Sequence, residues 1–463
     1  MSRPFKISGV ERQTMNKEDK VRFIRQHAME IQPILSDSER ETLDMLLGND
    51  TAEDDKEIDA IVERFETKIF FHEKSIALPE GKRVLISMND NGAYTAASPI
   101  IKTLENDSRC CGIGLLVSGI AEKRFTDHTE SRGFSPVTVP DSSNVITQVL
   151  ELTHNKPFDI GIGTVTSMNG PESLVLYAGK SSLKLKKLYF ILEGWAGLGN
   201  SFTDGSQNLD ELDGIFCNDG LAKKVVQKTL PNFPENKIFV TGTGQLDSLE
   251  LDKAETYESE TRQKLELGPD TIAILYLGGI SSIISEQYDA DEKIEEKTFS
   301  QVLDAICTAA QHNPQKKYAI LLRTHPADPN KAEYGAIAED KSLPDNVRYI
   351  KADPPLTING ICYAADLIFS TCSTENFKAH FRNKVGGFMA FDAPGMGYDF
   401  LQAMLGDNIV QAIAETEGTL IVKSPEELSD YLSKFEREKQ EKNSAPSIQP
   451  TDSTHKILDI IFS

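Results

Sequence analysis

From residue 81 onward the chain alternates short apolar runs with stretches whose apolar residues recur every third or fourth position. The first run, Arg83-Val-Leu-Ile-Ser-Met88, reads as a buried strand, followed by a turn at 89–92 and a helix over 93–104. Further strands are expected at 111–117, 136–139, 158–164, 187–192, 213–217 and 238–241, with a helix over 219–230. Short runs this apolar, separated by helices, predict a parallel, doubly wound sheet covered on both faces. A second series repeats the plan, with strands at 271–277, 318–322, 347–350, 367–369, 387–391 and 419–422. Its helices fall at 299–311, 356–364, 376–382 and 425–437. Upstream, Ile58, Ile61, Val62, Phe65 and Ile69 keep helical spacing, and residues 1–80 read as amphipathic helices at 21–34, 37–47 and 53–71.

The chain therefore divides into an N-terminal helical region (1–80), a first Rossmann-like domain (81–251) and a charged link (252–270). A second Rossmann-like domain (271–435) and a polar loop with a terminal helix (436–463) complete it. A length of 463 residues is too great for one core. The formal charge of −22 argues against nucleic acid or an anionic membrane as partner, since both need clustered Lys and Arg. No signal-peptide pattern or membrane-length apolar stretch is evident, and the six cysteines lack CxxC spacing. These features read as a cytoplasmic protein with reduced thiols and no transmembrane segment. The N-terminal helices offer a surface for oligomerisation or for docking on the first domain, and the sequence does not choose.

Candidate chemistry sits where strands end. Leu367-Ile-Phe369 empties into Ser370-Thr-Cys-Ser-Thr-Glu375, and the strand 318–322 empties into Arg323-Thr-His-Pro326. Both clusters are expected on one edge of one sheet, where amides and hydroxyls at helix starts converge on negative charge. Ser370, Thr371, Ser373 and Thr374 are thus candidate donors to an anionic ligand, and they serve equally as helix caps. Arg323 presents a planar fork suited to phosphate or to a carboxylate bridge, and His325 a titratable donor. Gly278 and Gly279 let the backbone approach a ligand or simply turn. In the first domain Glu193 follows the strand 187–192 and is a candidate base, with Asp90 as its rival and His325 as a third catalytic candidate. Trp195, the sole tryptophan, offers a platform for a sugar or packs an interface, and Asn91 and Gly92 complete the acceptor side. The acidic run 289–296 reads as a solvated face, and its Asp289-Ala-Asp291 is the nearest approach to a metal-binding pair. No metal and no cofactor are expected.

Two such domains in tandem, closed by a terminal helix, resemble the GT-B fold of nucleotide-sugar glycosyltransferases and non-hydrolysing UDP-N-acetylglucosamine 2-epimerases. Lys237-Ile-Phe-Val-Thr-Gly-Thr-Gly-Gln-Leu-Asp247 resembles the segment that ends the first domain, and Tyr276-Leu-Gly-Gly-Ile-Ser-Ser282 the phosphate-facing loop of the second. Arg323-Thr-His-Pro326 is similar to the Arg/His-Pro segment of several bacterial branches, and residues 365–375 to the nucleotide-binding strand and turn, with Lys384 just beyond. The resemblance implies a nucleotide-sugar donor as substrate in the second domain, its ribose on Glu375, and sugar transfer to an acceptor in the cleft between domains. Asn89-Asp-Asn-Gly-Ala93 departs from the Gly-Thr-Arg-Pro-Glu turn of epimerases, and Ser373-Thr-Glu375 from their paired glycines and double glutamate. The expectation is therefore a glycosyltransferase. A nucleotide-sugar 2-epimerase and a non-catalytic nucleotide- or partner-binding scaffold stand as alternatives.

Overall fold

Strand β2 (Lys82–Met88) runs through the middle of a parallel sheet because Val84 to Met88 are all buried, leaving no side of it for water. The computed structural model describes residues 70–75, 81–88, 91–117, 157–165, 183–192, 209–279, 293–325, 330–371, 373–391, 419–436 and 452–463, with isolated positions between them. The chain forms two compact units. One comprises Met1–Glu193, Gly197–Gln245 and Asp452–Ser463, the other Gly194–Ala196 and Leu246–Thr451.

In the first unit β3 (Cys110–Val117), β2, β5 (Ile160–Val165), β6 (Lys187–Leu192), β7 (Gly214–Cys217) and β8 (Ile238–Val240) lie in that order, all parallel. Antiparallel β1 (Phe70–Ser75) and the short β4 (Ser135–Pro136) extend the β3 edge. Strand β1 falls at the end of the stretch read above as helical. Helical spacing stops at Ile69, and the next six residues gain a full ladder against β3 instead. The expected helices at 21–34 and 37–47, and the one at 53–71 up to residue 69, lie outside the described residues.

Helix α1 (Asn91–Leu104) lays Ala93, Ala96, Ala97, Ile100, Ile101 and Leu104 onto this sheet, each at most 1% exposed. A capped helix α2 (Gly220–Thr229) follows β7, the Asp219 carboxylate accepting from the Ala222 amide.

In the second unit β9 (Thr271–Leu277) is buried along its whole length. Beside it lie β10 (Lys317–Arg323) and β11 (Val347–Lys351) on one side, and β12 (Leu367–Ser370), β13 (Val385–Met389) and β14 (Thr419–Val422) on the other. All pairs are parallel. Numbering β9 as the first strand, the order runs 3-2-1-4-5-6, the arrangement of dinucleotide-binding sheets. Period-two alternation splits β9 between two cores. Ile272, Ile274 and Tyr276 join the core of α4 (Ile294–His312), α5 (Lys331–Asp340) and α8 (Pro425–Lys434), while Ala273, Leu275 and Leu277 face α6 (Ile358–Ala364).

The charged link read at 252–270 carries helix α3 (Ala254–Lys264), which packs on α6 within the second unit. Arg262 accounts for this: its guanidinium donates to the carbonyls of Ala364, Gly268 and Thr271, each at 2.8 Å. It also stands 3.6 Å from the buried Asp366 carboxylate, which accepts the Ala273 amide. The terminal helix α9 (Ser453–Phe462) belongs to the first unit, where Ile457, Leu458 and Ile461 are fully buried against its core. No helix among the described residues is long and apolar enough to cross a membrane.

Candidate functional site

A parallel sheet with order 3-2-1-4-5-6 opens a crevice beyond the carboxyl ends of strands 1 and 4, because the crossovers leaving them go to opposite faces. Here those strands are β9 and β12, paired through Leu367–Ile274 and Phe369–Tyr276. The glycine pair Gly278-Gly279 follows β9 and Thr371 follows β12, so two of the clusters chosen from sequence meet at one point. The Gly278 amide donates to the Arg323 carbonyl at 3.0 Å. A Cβ at Gly278 would lie 3.1 Å from the Tyr334 hydroxyl, so glycine lets the chain pass against that ring.

Beside these two strand ends lies Glu295, in the first turn of α4 and only 1% exposed. Its carboxylate accepts from the Thr371 hydroxyl, from the Tyr276 hydroxyl at 3.1 Å and from the Gly279 amide. Burial drives the Glu295 pKa up, the three hydrogen bonds pull it back and Glu296 adds to the rise, leaving it at about 7. Burial and the nearby carboxylates also hold the Tyr276 and Tyr334 hydroxyls protonated. Glu296 accepts from the Asn330 amide at 3.2 Å, and Asp328 accepts from the Asn330 backbone at 2.9 Å. The Oδ2 of Asp328 and the Tyr334 hydroxyl are buried without a partner.

On the β12 side, Ser370 is buried and accepts from the Asn376 side chain at 2.8 Å, and Asn376 also donates to the Gly387 carbonyl at 2.9 Å. Ser373 caps helix α7 (Thr374–Ala379), its hydroxyl accepting from the Glu375 amide at 3.3 Å, and Thr374 is exposed at the first helical position. Glu375 reaches Lys378 at 2.9 Å and Arg382 at 2.8 Å. Burial raises its pKa, but the two cations outweigh that and hold it at about 2. Both carboxylate oxygens are thus engaged by cations, and a carboxylate retains acceptor capacity beyond two such bonds.

Arg323 donates through Nη1 to the carbonyls of Ala352 and Leu356, at 2.9 and 3.3 Å, fastening the chain that follows β11. His325 is exposed just beyond, and its carbonyl accepts the Asp328 amide at 3.0 Å. Lys384 pairs with Glu258 of α3 at 3.1 Å. Trp195 is fully buried in the second unit and stacks on Phe377 of α7 with ring centroids 5.0 Å apart. In the first unit Gly92 lies in the first turn of α1, where its carbonyl accepts the Gln245 side chain at 3.5 Å, and Asn91 begins that helix. Asp90 and Glu193 lie outside the described residues.

No family model matches the sequence, and no curated protein matches it. The fold does match solved structures. The UDP-GlcNAc 2-epimerase of Neisseria meningitidis bound to UDP-GlcNAc is similar over 82% of this chain and 99% of that one, with 14% identity and a TM-score of 0.53. A putative UDP-N-acetylglucosamine 2-epimerase from Listeria monocytogenes matches over 82% and 96%, with 14% identity and a TM-score of 0.54. The S. aureus MnaA–UDP structure matches over 82% and 96%, with 12% identity and a TM-score of 0.52. The chain has the GT-B fold. Similarity at this level of identity carries the fold, and the GT-B architecture by itself hosts several chemistries.

Glu295 is the buried carboxylate at these strand ends that the sequence reading missed, because the run 289–296 looks like a solvated acidic face. Both Glu295 and Glu296 are buried, at 1% and 3% exposure. A signal was present: Glu295, Thr298, Phe299 and Val302 share one helical stripe, and extending the apolar face of α4 back by one turn puts Glu295 on it.

Proposed function

We propose that this chain is an enzyme acting on a nucleoside-diphosphate sugar held at the crevice beyond β9 and β12. The observation that carries this reading is the convergence there of the Gly278-Gly279 backbone and the Thr371 hydroxyl, beside the starts of α4 and α7, in a GT-B chain. Amides and hydroxyls at such a position suit diphosphate oxygens. Gly278, Gly279, Ser370, Thr371, Ser373 and Thr374 form the proposed phosphate side, with Glu375 toward the ribose, and Arg323 and His325 at the next strand end.

The reaction we favour is glycosyl transfer. The bond from the anomeric carbon to the diphosphate oxygen breaks with its electron pair leaving on the nucleotide. A new bond forms to an acceptor oxygen, whose proton passes to a base, for which Glu193 and Asp90 are the candidates. Asn91 and Gly92 remain the proposed acceptor-side residues, whereas Trp195, expected there as a sugar platform, is fully buried against Phe377 in the second unit and leaves no open ring face. The second reading is 2-epimerisation, which the likeness to epimerase structures supports and the departures at Asn89–Ala93 and Ser373–Glu375 oppose.

Incubation with UDP-N-acetylglucosamine separates the readings. Release of UDP only in the presence of an acceptor supports transfer, and a 2-epimer formed from the donor alone supports epimerisation. Binding without turnover under any acceptor contradicts both.

A further inference from the structure

We propose that the Glu295 carboxylate is a built-in anion occupying the phosphate end of the β9–β12 crevice, so that a nucleoside-diphosphate ligand binds there together with a proton. The inference rests on the nucleotide-sugar reading and adds to it a binding residue and a linked protonation.

The geometry supplies the argument. The Thr371 hydroxyl and the Gly279 amide, donors well placed for a diphosphate at this switch point, are both directed to Glu295, and Tyr276 adds a third. Each of these hydrogens serves one acceptor at full strength, so an ionised Glu295 and a phosphate oxygen compete for them. Glu295 has almost no contact with water, so hydrogen bonds such as these take the place of solvent around its charge.

Among the described residues, the titratable side chains that act on it are acidic or phenolic. Tyr276 comes from β9, Tyr334 from α5 and Glu296 from α4 itself, while Asp328, from the segment after β10, acts on Tyr334 and on His325, which Lys331 of α5 also faces. Lys293 pairs with Glu333 at 2.9 Å and also acts on Glu296. Among the described residues one further carboxylate, Glu296, and two neutral phenols therefore act on Glu295, with Lys293 acting on Glu296 from the same helix start. When like charges are forced together in a poorly solvated site, the weaker acid takes up a proton.

Protonation changes what Glu295 offers. It becomes a donor to a phosphate oxygen, and the Thr371 and Gly279 hydrogens are released to the ligand. The Tyr334 hydroxyl, buried without a partner against Gly278, is a further donor at the same place.

Calorimetric titration of the full chain with UDP-N-acetylglucosamine tests this, because the diphosphate of that probe keeps a constant charge between about pH 6 and 9. Buffers of different ionisation heat give the proton count. The expected result is a Kd that rises by up to about tenfold per pH unit above the Glu295 midpoint near 7, with about one proton taken up per ligand at the alkaline end. Glu295→Gln is expected to abolish the proton uptake and to bind as tightly at high pH as at low.

Binding by the unaltered protein with no pH slope and no proton uptake overturns the inference and leaves the nucleotide-sugar reading standing. A slope that persists in Glu295→Gln also overturns it. No binding by either protein at any pH overturns both. If Glu295→Gln fails to fold, the proton count of the unaltered protein decides alone.

Discussion

Glu375 is gripped by two cations of its own helical segment, Lys378 and Arg382, whose side chains are 10% and 1% exposed. Removing the carboxylate strands both charges away from water. Glu375→Ala is therefore expected to cost about 3–5 kcal/mol in denaturant unfolding, well beyond the loss of one surface contact. The pair also sets an acid limb. With a folded pKa of about 2 against an ordinary 4.5, its contribution is complete above 4.5 and is lost as pH falls toward 2, amounting to about 3 kcal/mol. Glu375→Gln should flatten stability over that window, and an unchanged acid limb would contradict the assignment. In the sequence Glu375 stands out through the resemblance of its strand-to-helix turn to a nucleotide-binding turn. Its partners at three and seven residues' distance were not singled out, since charges on a short helix look alike until one face is known to be buried. Glu295 was hidden for the same reason, inside a run of acids that solvate a surface in most proteins.

The turn after β12 depends on a close fit between α7 and β13. Asn376 bridges Ser370 and the Gly387 carbonyl, and a Cβ on Gly386 would come within 1.9 Å of the Asn376 carbonyl oxygen. Gly386→Ala must push the strand and the helix apart. A loss of about 3 kcal/mol is expected from thermal or denaturant unfolding, with weaker nucleotide-sugar binding because Ser370 and Thr371 move with the turn. A neutral substitution would show that α7 is not held this way. Elements of this kind were legible wherever burial is continuous, as in β2 and β9, whose runs are too apolar for any other place. Those read poorly are the ones in which tertiary contact overrides local pattern. The acid-rich first turn of α4 made the helix look shorter than Ile294–His312, and β1 owes its conformation to pairing with β3.

At the scale of the whole molecule, each unit has its own core, and the chain returns to the first unit at its end. Helix α9 is pinned there by Arg109 to Asp459 at 2.8 Å and by Lys187 to the Ser463 carbonyl at 2.7 Å, besides its buried isoleucines. Deleting residues 452–463 should remove the cooperative unfolding of the first unit. Trp195 lies in the second unit, so the midpoint followed by its fluorescence should stay in place. A shift of both transitions would contradict this division. The repeated α/β plan was readable from sequence, whereas the strand order 3-2-1-4-5-6 was not, because strand order depends on pairings distant in the chain. That order is what makes the β9–β12 strand ends the proposed binding site. A crystal soaked with UDP-N-acetylglucosamine is the decisive measurement: its diphosphate is expected within hydrogen-bond reach of the Gly279 amide and the Thr371 hydroxyl. Ligand bound elsewhere, with that crevice still empty, would contradict it.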